Sequence, residues 1–167
     1  RFSPAAAIRI TREVLSALAY AHVKRDFDGQ PLKLIHRDVS PSNLMVGYDG
    51  SIKLVDFGVA KATDRIHETQ SGAVKGKIAY LSPEQARGQK LDRRSDLFSL
   101  GIVMWELLTV ERLYKHDSDF ATMTAIISEA PPPPSSRRSP ALPTRPASPP
   151  AKCPIRHGAP ASSCSSW

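Results

Sequence analysis

Cysteine is almost missing from this chain. The two that occur, Cys153 and Cys164, lie near its end with no companions at metal-ligand spacing. That excludes a disulfide scaffold and a cysteine-based zinc site, and it makes a reducing compartment the expectation. Long apolar runs are missing too. No stretch reaches the roughly 18 residues of a membrane span, and the start shows no basic-then-apolar signal pattern, so a soluble, cytoplasmic protein with no membrane span is expected. Acidic residues are absent from 131–167, which carries five Lys/Arg and only Leu142 and Ile155 as large aliphatic residues. The net charge of +7 therefore belongs largely to that end, because residues 1–130 hold 18 basic and 16 acidic side chains. A basic balance of this origin is no folded basic face, and nucleic acid is not an expected partner.

Proline is as unevenly spread as charge. Eleven of the 15 prolines follow residue 130, and a segment so rich in Pro, Ser, Arg and Ala cannot bury a core. The chain divides on this basis into a folded part, 1–130, and a disordered or non-native tail, 131–167.

The folded part begins with a helix. Ser3 is a candidate N-cap and Pro4 fits the first helical position, and Ile8, Leu15, Leu18, Ala19 and His22 recur at helical spacing as its expected buried face. Gly29 and Pro31 end it. The apolar "LKLI" at 32–35 reads as a short strand. "NLMVGYDGSIKLVDF" reads as a hairpin, Leu44–Val46 and Ile52–Val55 around a turn at Asp49-Gly50, which should return Asp56 to the neighbourhood of Asn43. From Gly58 to Lys77 no periodicity survives, and a mobile loop of about twenty residues is expected. "SPEQARG" opens a short helix. "SDLFSLGIVMWELLTV" is apolar on most sides, with Leu97, Leu100, Val103, Met104, Leu107 and Leu108, and predicts a central helix covered by neighbours all round.

Three motifs follow one another: "HRDVSPSN" at 36–43, "DFG" at 56–58 and "SPE" at 82–84. Seven of these positions, His36-Arg37-Asp38, Asn43 and Asp56-Phe57-Gly58, arise together at set spacing by chance on the order of once in a billion start points. The order resembles the C-terminal lobe of eukaryotic-type protein kinases, and "DGQPLKLIHRDVSPSN" is most similar to their bacterial serine/threonine members. The resemblance implies an α+β fold, a mainly helical C-terminal lobe with a small β-hairpin at the catalytic loop, and a missing N-terminal lobe. It also implies a transferase that moves the ATP γ-phosphate to a protein Ser/Thr hydroxyl with Mg2+.

Phosphoryl transfer needs an aligned hydroxyl and neutralised phosphate charge more than covalent help, so carboxylates and amide oxygens suit it. By resemblance Asp38 accepts or orients the hydroxyl proton, while Asn43 and Asp56 hold magnesium and nucleotide phosphates. Met45 is either the apolar floor under adenine or a plain hairpin core residue. Asp96 matches the aspartate that receives catalytic-loop backbone N–H groups. His36 is a structural residue that packs and bonds the loop, Arg37 is a partner for a loop phosphate on Thr69, Ser71 or Thr63, and Phe57 and Trp105 are core. Gly58 supplies backbone freedom.

Two positions depart from the family. Ser40 stands where its serine/threonine kinases usually carry lysine, and Lys77 where they usually carry threonine. These positions face each other across the substrate hydroxyl in the family fold, so Lys77 is read as the compensating cation and Ser40 as the hydroxyl. Pro41 argues against the tyrosine-kinase loop. The sequence has no glycine-rich phosphate loop, no strand lysine and no helix glutamate to pair with it. Glu84 resembles a glutamate whose arginine partner the tail does not supply. A non-catalytic binding or decoy fragment is accordingly the alternative to an enzyme.

Overall fold

Ser3 and Pro4 open the first helix as their chemistry requires: the Ser3 hydroxyl accepts the Ala6 N–H at 3.2 Å, and proline occupies a position where no donor is lost. This helix, α1, spans Pro4–Val23 in a computed structural model that describes residues 3–57 and 77–137. The buried face of α1 is Ala7, Ile10, Val14, Leu18 and Ala21. Of the residues expected to face inward, Leu18 is buried and His22 half-buried, but Ile8 is 57% and Leu15 42% exposed, and Ala19 is exposed. The stripe is rotated from the expected one: small Ala7 and Ala21 are buried with Ile10, Val14 and Leu18, and the last three join the core with α3.

After α1 the chain turns through Asp26, whose carboxylate accepts the N–H groups of Asp28 and Gln30. The expected strand at 32–35 does not form. Lys33 takes a left-handed φ of 49°, which breaks an extended run, and only an isolated bridge joins Arg25 to Pro31.

The hairpin forms with β1, Leu44–Val46, antiparallel to β2, Ile52–Leu54, one residue shorter than expected. Register pairs Leu44 with Leu54, Met45 with Lys53 and Val46 with Ile52. Gly50 at φ 78° makes the turn, and the Asp49 carboxylate accepts the Ser51 N–H at 2.9 Å. The Arg9 guanidinium of α1 donates to the Gly50 carbonyl at 3.1 Å, tying the turn to the helix. Leu44, Ile52 and Leu54 pack on the core.

The second described stretch begins at Lys77 and runs through a helical turn, Ile78–Tyr80, into α2, Pro83–Ala86, then α3, Arg93–Thr109, and α4, Asp119–Ser128. The core joins Ile10, Val14 and Leu18 of α1 to Leu100, Ile102 and Val103 of α3, with Val39, Tyr80, Ala125 and Ile126 around them. Each fully buried aliphatic side chain there contributes about 1.5–3 kcal/mol. The helix α3 is central but not covered all round. Leu97 is 44% exposed, Met104, Leu107 and Leu108 are half-buried, and Ser95, Asp96, Ser99 and Thr109 are buried instead. Those four polar groups are satisfied within the fold, so their burial is not prohibitive.

The helix α4 carries its own start signal, Ser118 capping the Ala121 N–H at 3.1 Å with Asp119 in the first turn. Beyond it, Trp105 is core as expected, and its ring N–H donates to the Pro132 carbonyl at 2.8 Å, anchoring the first residues of the proline-rich segment on α3. Gly58 and the loop expected after it lie outside the described residues, as do Thr63, Thr69 and Ser71.

Candidate active site

Asp96 organises the site from below. It sits in the first turn of α3 with its side chain fully buried, and its two carboxylate oxygens accept the His36 N–H at 2.9 Å and the Arg37 N–H at 2.8 Å. The ring Nε2 of His22, from the last turn of α1, donates to the same carboxylate at 2.7 Å. Three donors around one buried carboxylate offset its desolvation and fix the start of the loop to two helices. The expected backbone contacts of Asp96 are therefore present, and His22, read only as a helix-face residue, is part of the same arrangement.

The loop is held in an uncommon shape. Arg37 has a φ of 65° and Asp56 a φ of 59°, left-handed values that cost a non-glycine residue about 1–3 kcal/mol each. Arg37 is stabilised there on both sides, its N–H by Asp96 and its carbonyl by the Gln85 side-chain amide at 2.8 Å.

His36 is fully buried. Its Nε2 lies 3.0 Å from the Val55 carbonyl, which can only accept, and its Nδ1 lies 3.3 Å from the Asp38 N–H, which can only donate. The ring is thus neutral with its proton on Nε2. Burial pushes its pKa below the ordinary histidine value and outweighs the upward pull of the Val55 carbonyl and of Asp96, Asp38 and Asp56. Phe57, expected in the core, lies at the surface with its ring centroid 4.5 Å from that of His36. The two motifs meet through this contact and the Val55 hydrogen bond.

Asp38 is buried, and the Lys77 ammonium donates to its Oδ2 at 2.8 Å across 39 residues of chain. The lysine side chain is 37% exposed and the carboxylate 7%, so the pair sits at the mouth of the site. Ser40 is buried with its hydroxyl 2.9 Å from that of Ser42. Lys77 is brought to Asp38, while the hydroxyl of Ser40 is engaged within its own loop.

Asn43 is buried and donates its amide N–H to the Asp38 carbonyl at 2.7 Å, which leaves the amide oxygen as the group a cation can use. The Val55 N–H bonds the Asn43 carbonyl at 3.0 Å, extending the hairpin ladder one step and delivering exposed Asp56 beside it. One amide oxygen and one carboxylate fit magnesium, which takes hard oxygen ligands and needs only one or two from protein. Among the described residues no group of three or more His, Cys, Asp or Glu could hold a metal alone, so further ligands have to come from phosphate or water. Met45 is 57% exposed, which removes the reading of it as a hairpin core residue.

Around the loop, Glu84 is half-buried and accepts the Ser95 hydroxyl at 2.7 Å, so it has a partner within the described residues without an arginine. Tyr80 donates to Glu106 at 2.6 Å and accepts from Arg112, and burial with the Glu106 contact pushes its phenol well above the usual tyrosine range. Sequence spacing gave no hint of that triad or of the Gln85 contact, since both are made between separate elements.

Residues 1–149 match the protein kinase domain family model. The chain is 44% identical over 120 residues to the tyrosine-protein kinase MasK of Myxococcus xanthus, covering 72% of the chain and 19% of that protein. It is 42% identical over 135 residues to the serine/threonine-protein kinase PknB of Mycobacterium leprae, covering 80% and 20%, and 40% identical over 139 residues to the serine/threonine-protein kinase pkn3 of Myxococcus xanthus, covering 78% and 24%. The chain thus spans about a fifth of the length of these relatives. With the family model matching most of its length, the chain belongs to the protein kinase domain family.

Proposed function

We propose that this chain is the C-terminal lobe part of a bacterial eukaryotic-type serine/threonine kinase domain, which transfers the ATP γ-phosphate to a protein Ser/Thr hydroxyl. The observation that carries the reading is the Lys77 ammonium 2.8 Å from the Asp38 carboxylate, on a loop whose backbone Asp96 holds. Asp38 orients the substrate hydroxyl and takes its proton as the new O–P bond forms and the bond from the γ-phosphorus to the β,γ-bridging oxygen breaks, releasing ADP. Lys77, beside it, offsets negative charge on the transferring group, the role the family usually gives to lysine at the position of Ser40. Asn43 and Asp56 would hold magnesium, whose contribution is to neutralise and orient the phosphates. Met45, exposed on β1, is proposed as the floor for adenine.

Serine and threonine are preferred to tyrosine because Pro41 follows Ser40 and because PknB and pkn3 carry serine/threonine in their names, although MasK is named a tyrosine kinase. The test is radiolabel transfer from ATP to a generic basic protein by the full-length protein that carries this chain, followed by phosphoamino-acid analysis. Label on serine and threonine, abolished by Asp38→Ala with nucleotide binding kept, is expected. Asp56→Ala should lose magnesium-dependent nucleotide binding as well. Label on tyrosine alone would contradict the hydroxyl class, and no transfer would contradict the activity.

A further inference from the structure

The peptide unit that leads into Asp38 is gripped at both ends by side chains. Its carbonyl, belonging to Arg37, accepts the Gln85 Nε2–H at 2.8 Å, and its N–H, belonging to Asp38, donates to His36 Nδ1 at 3.3 Å. This unit follows a residue at φ 65°, a left-handed value that a non-glycine residue keeps only where its surroundings hold it. Without these two bonds Arg37 can relax toward the right-handed or extended region, a backbone change that carries the Asp38 carboxylate with it.

Gln85 arrives from 48 residues away, and its own position is fixed. It is the third residue of α2, where its Oε1 accepts the Ser82 N–H at 2.9 Å while its backbone N–H bonds the fully buried Ser82 hydroxyl at 3.3 Å. This is a capping box, and it uses only the oxygen of the amide. The nitrogen serves the catalytic loop.

We propose that Gln85 is a positioning residue for Asp38. One face of its side chain caps α2 and the other locks the Arg37–Asp38 peptide, so that placement of the segment around α2 sets the aim of the catalytic carboxylate. The proposal rests on the kinase reading for its effect on rate, but its effect on the loop does not.

Gln85→Glu separates the two duties. Glutamate is an equally good capping-box residue and keeps an oxygen for the Ser82 N–H, but it sets an acceptor against the Arg37 carbonyl. In the full-length protein carrying this chain, the variant should keep its cooperative melt, exchange the Asp38 amide at least tenfold faster than wild type, and lower kcat by roughly tenfold to a hundredfold with KM for ATP little changed, the scale on which small misplacements act. Ser82→Ala is the contrast: it removes the hydroxyl cap but keeps the backbone N–H that holds Gln85 Oε1, and it should lower the melting temperature while disturbing kcat and Asp38 exchange much less than Gln85→Glu does. Wild-type Asp38 exchange in Gln85→Glu would overturn the proposal, as would loss of the melt altogether, since the effect is assigned to the loop alone. Absence of any phosphoryl transfer in wild type would defeat the kinase reading and leave the exchange measurement to decide on Gln85.

Discussion

At the scale of single residues, two buried groups govern the loop at 36–43. Asp96 accepts from two backbone N–H groups and one imidazole, and removing it leaves all three without an acceptor. Asp96→Ala should therefore lower the unfolding free energy by about 3–5 kcal/mol, measured by denaturant titration, and a loss under about 1 kcal/mol would contradict this account of the loop. His36 gives a pH signature. Its folded pKa lies below the ordinary histidine value of 6.5, so between the two the unfolded chain binds more protons and stability rises with pH. The contribution is present in full above 6.5 and is lost as pH falls from there through the folded pKa. Wild type should lose more stability between about pH 7.5 and about pH 5.5 than His36→Gln, which cannot titrate. Equal losses would contradict the neutral, Nε2-protonated ring.

At the scale of elements, caps and turns were legible and faces were not. Ser3-Pro4, Asp49-Gly50 and Ser82-Pro83 act locally, and each stands where its chemistry places it. The buried face of α1 depends on which sides its neighbours occupy, and it is marked by Ala7, Ile10, Val14, Leu18 and Ala21 rather than by Ile8 and Leu15. Leu18→Ala should cost about 2–5 kcal/mol, while Ile8→Ser should change stability by no more than about 0.5 kcal/mol. Comparable losses from both would contradict the rotated face. The strand expected at 32–35 failed because an apolar run carries no information about Lys33 turning left-handed. At the site, the motif residues were legible because their types and spacing are fixed by chemistry. His22, Gln85 and the Tyr80–Glu106–Arg112 group were not, because each acts through a contact far away in sequence.

At the scale of the whole molecule, the parts of the site come from separate segments of chain. The chain is proposed to divide at residue 130, with the first residues of the proline-rich segment docked through Pro132 on Trp105. The 167-residue chain holds no glycine-rich phosphate loop, and on its own it should transfer no phosphate, because positioning a nucleotide takes groups that it lacks. Turnover by the isolated chain at the level of an intact kinase would contradict that. The central claim is that Lys77 has taken over the cation missing at Ser40, and a double-mutant cycle on kcat/KM in the full-length protein tests it most directly. Lys77→Thr should cost roughly 2–4 kcal/mol of transition-state stabilisation, the range for losing one preorganised donor. Ser40→Lys alone should also lower the rate by crowding two cations. The double variant restores the family's usual arrangement and should recover much of the loss, giving strong non-additivity, whereas a coupling energy near zero would contradict the claim that Lys77 serves catalysis beside Asp38.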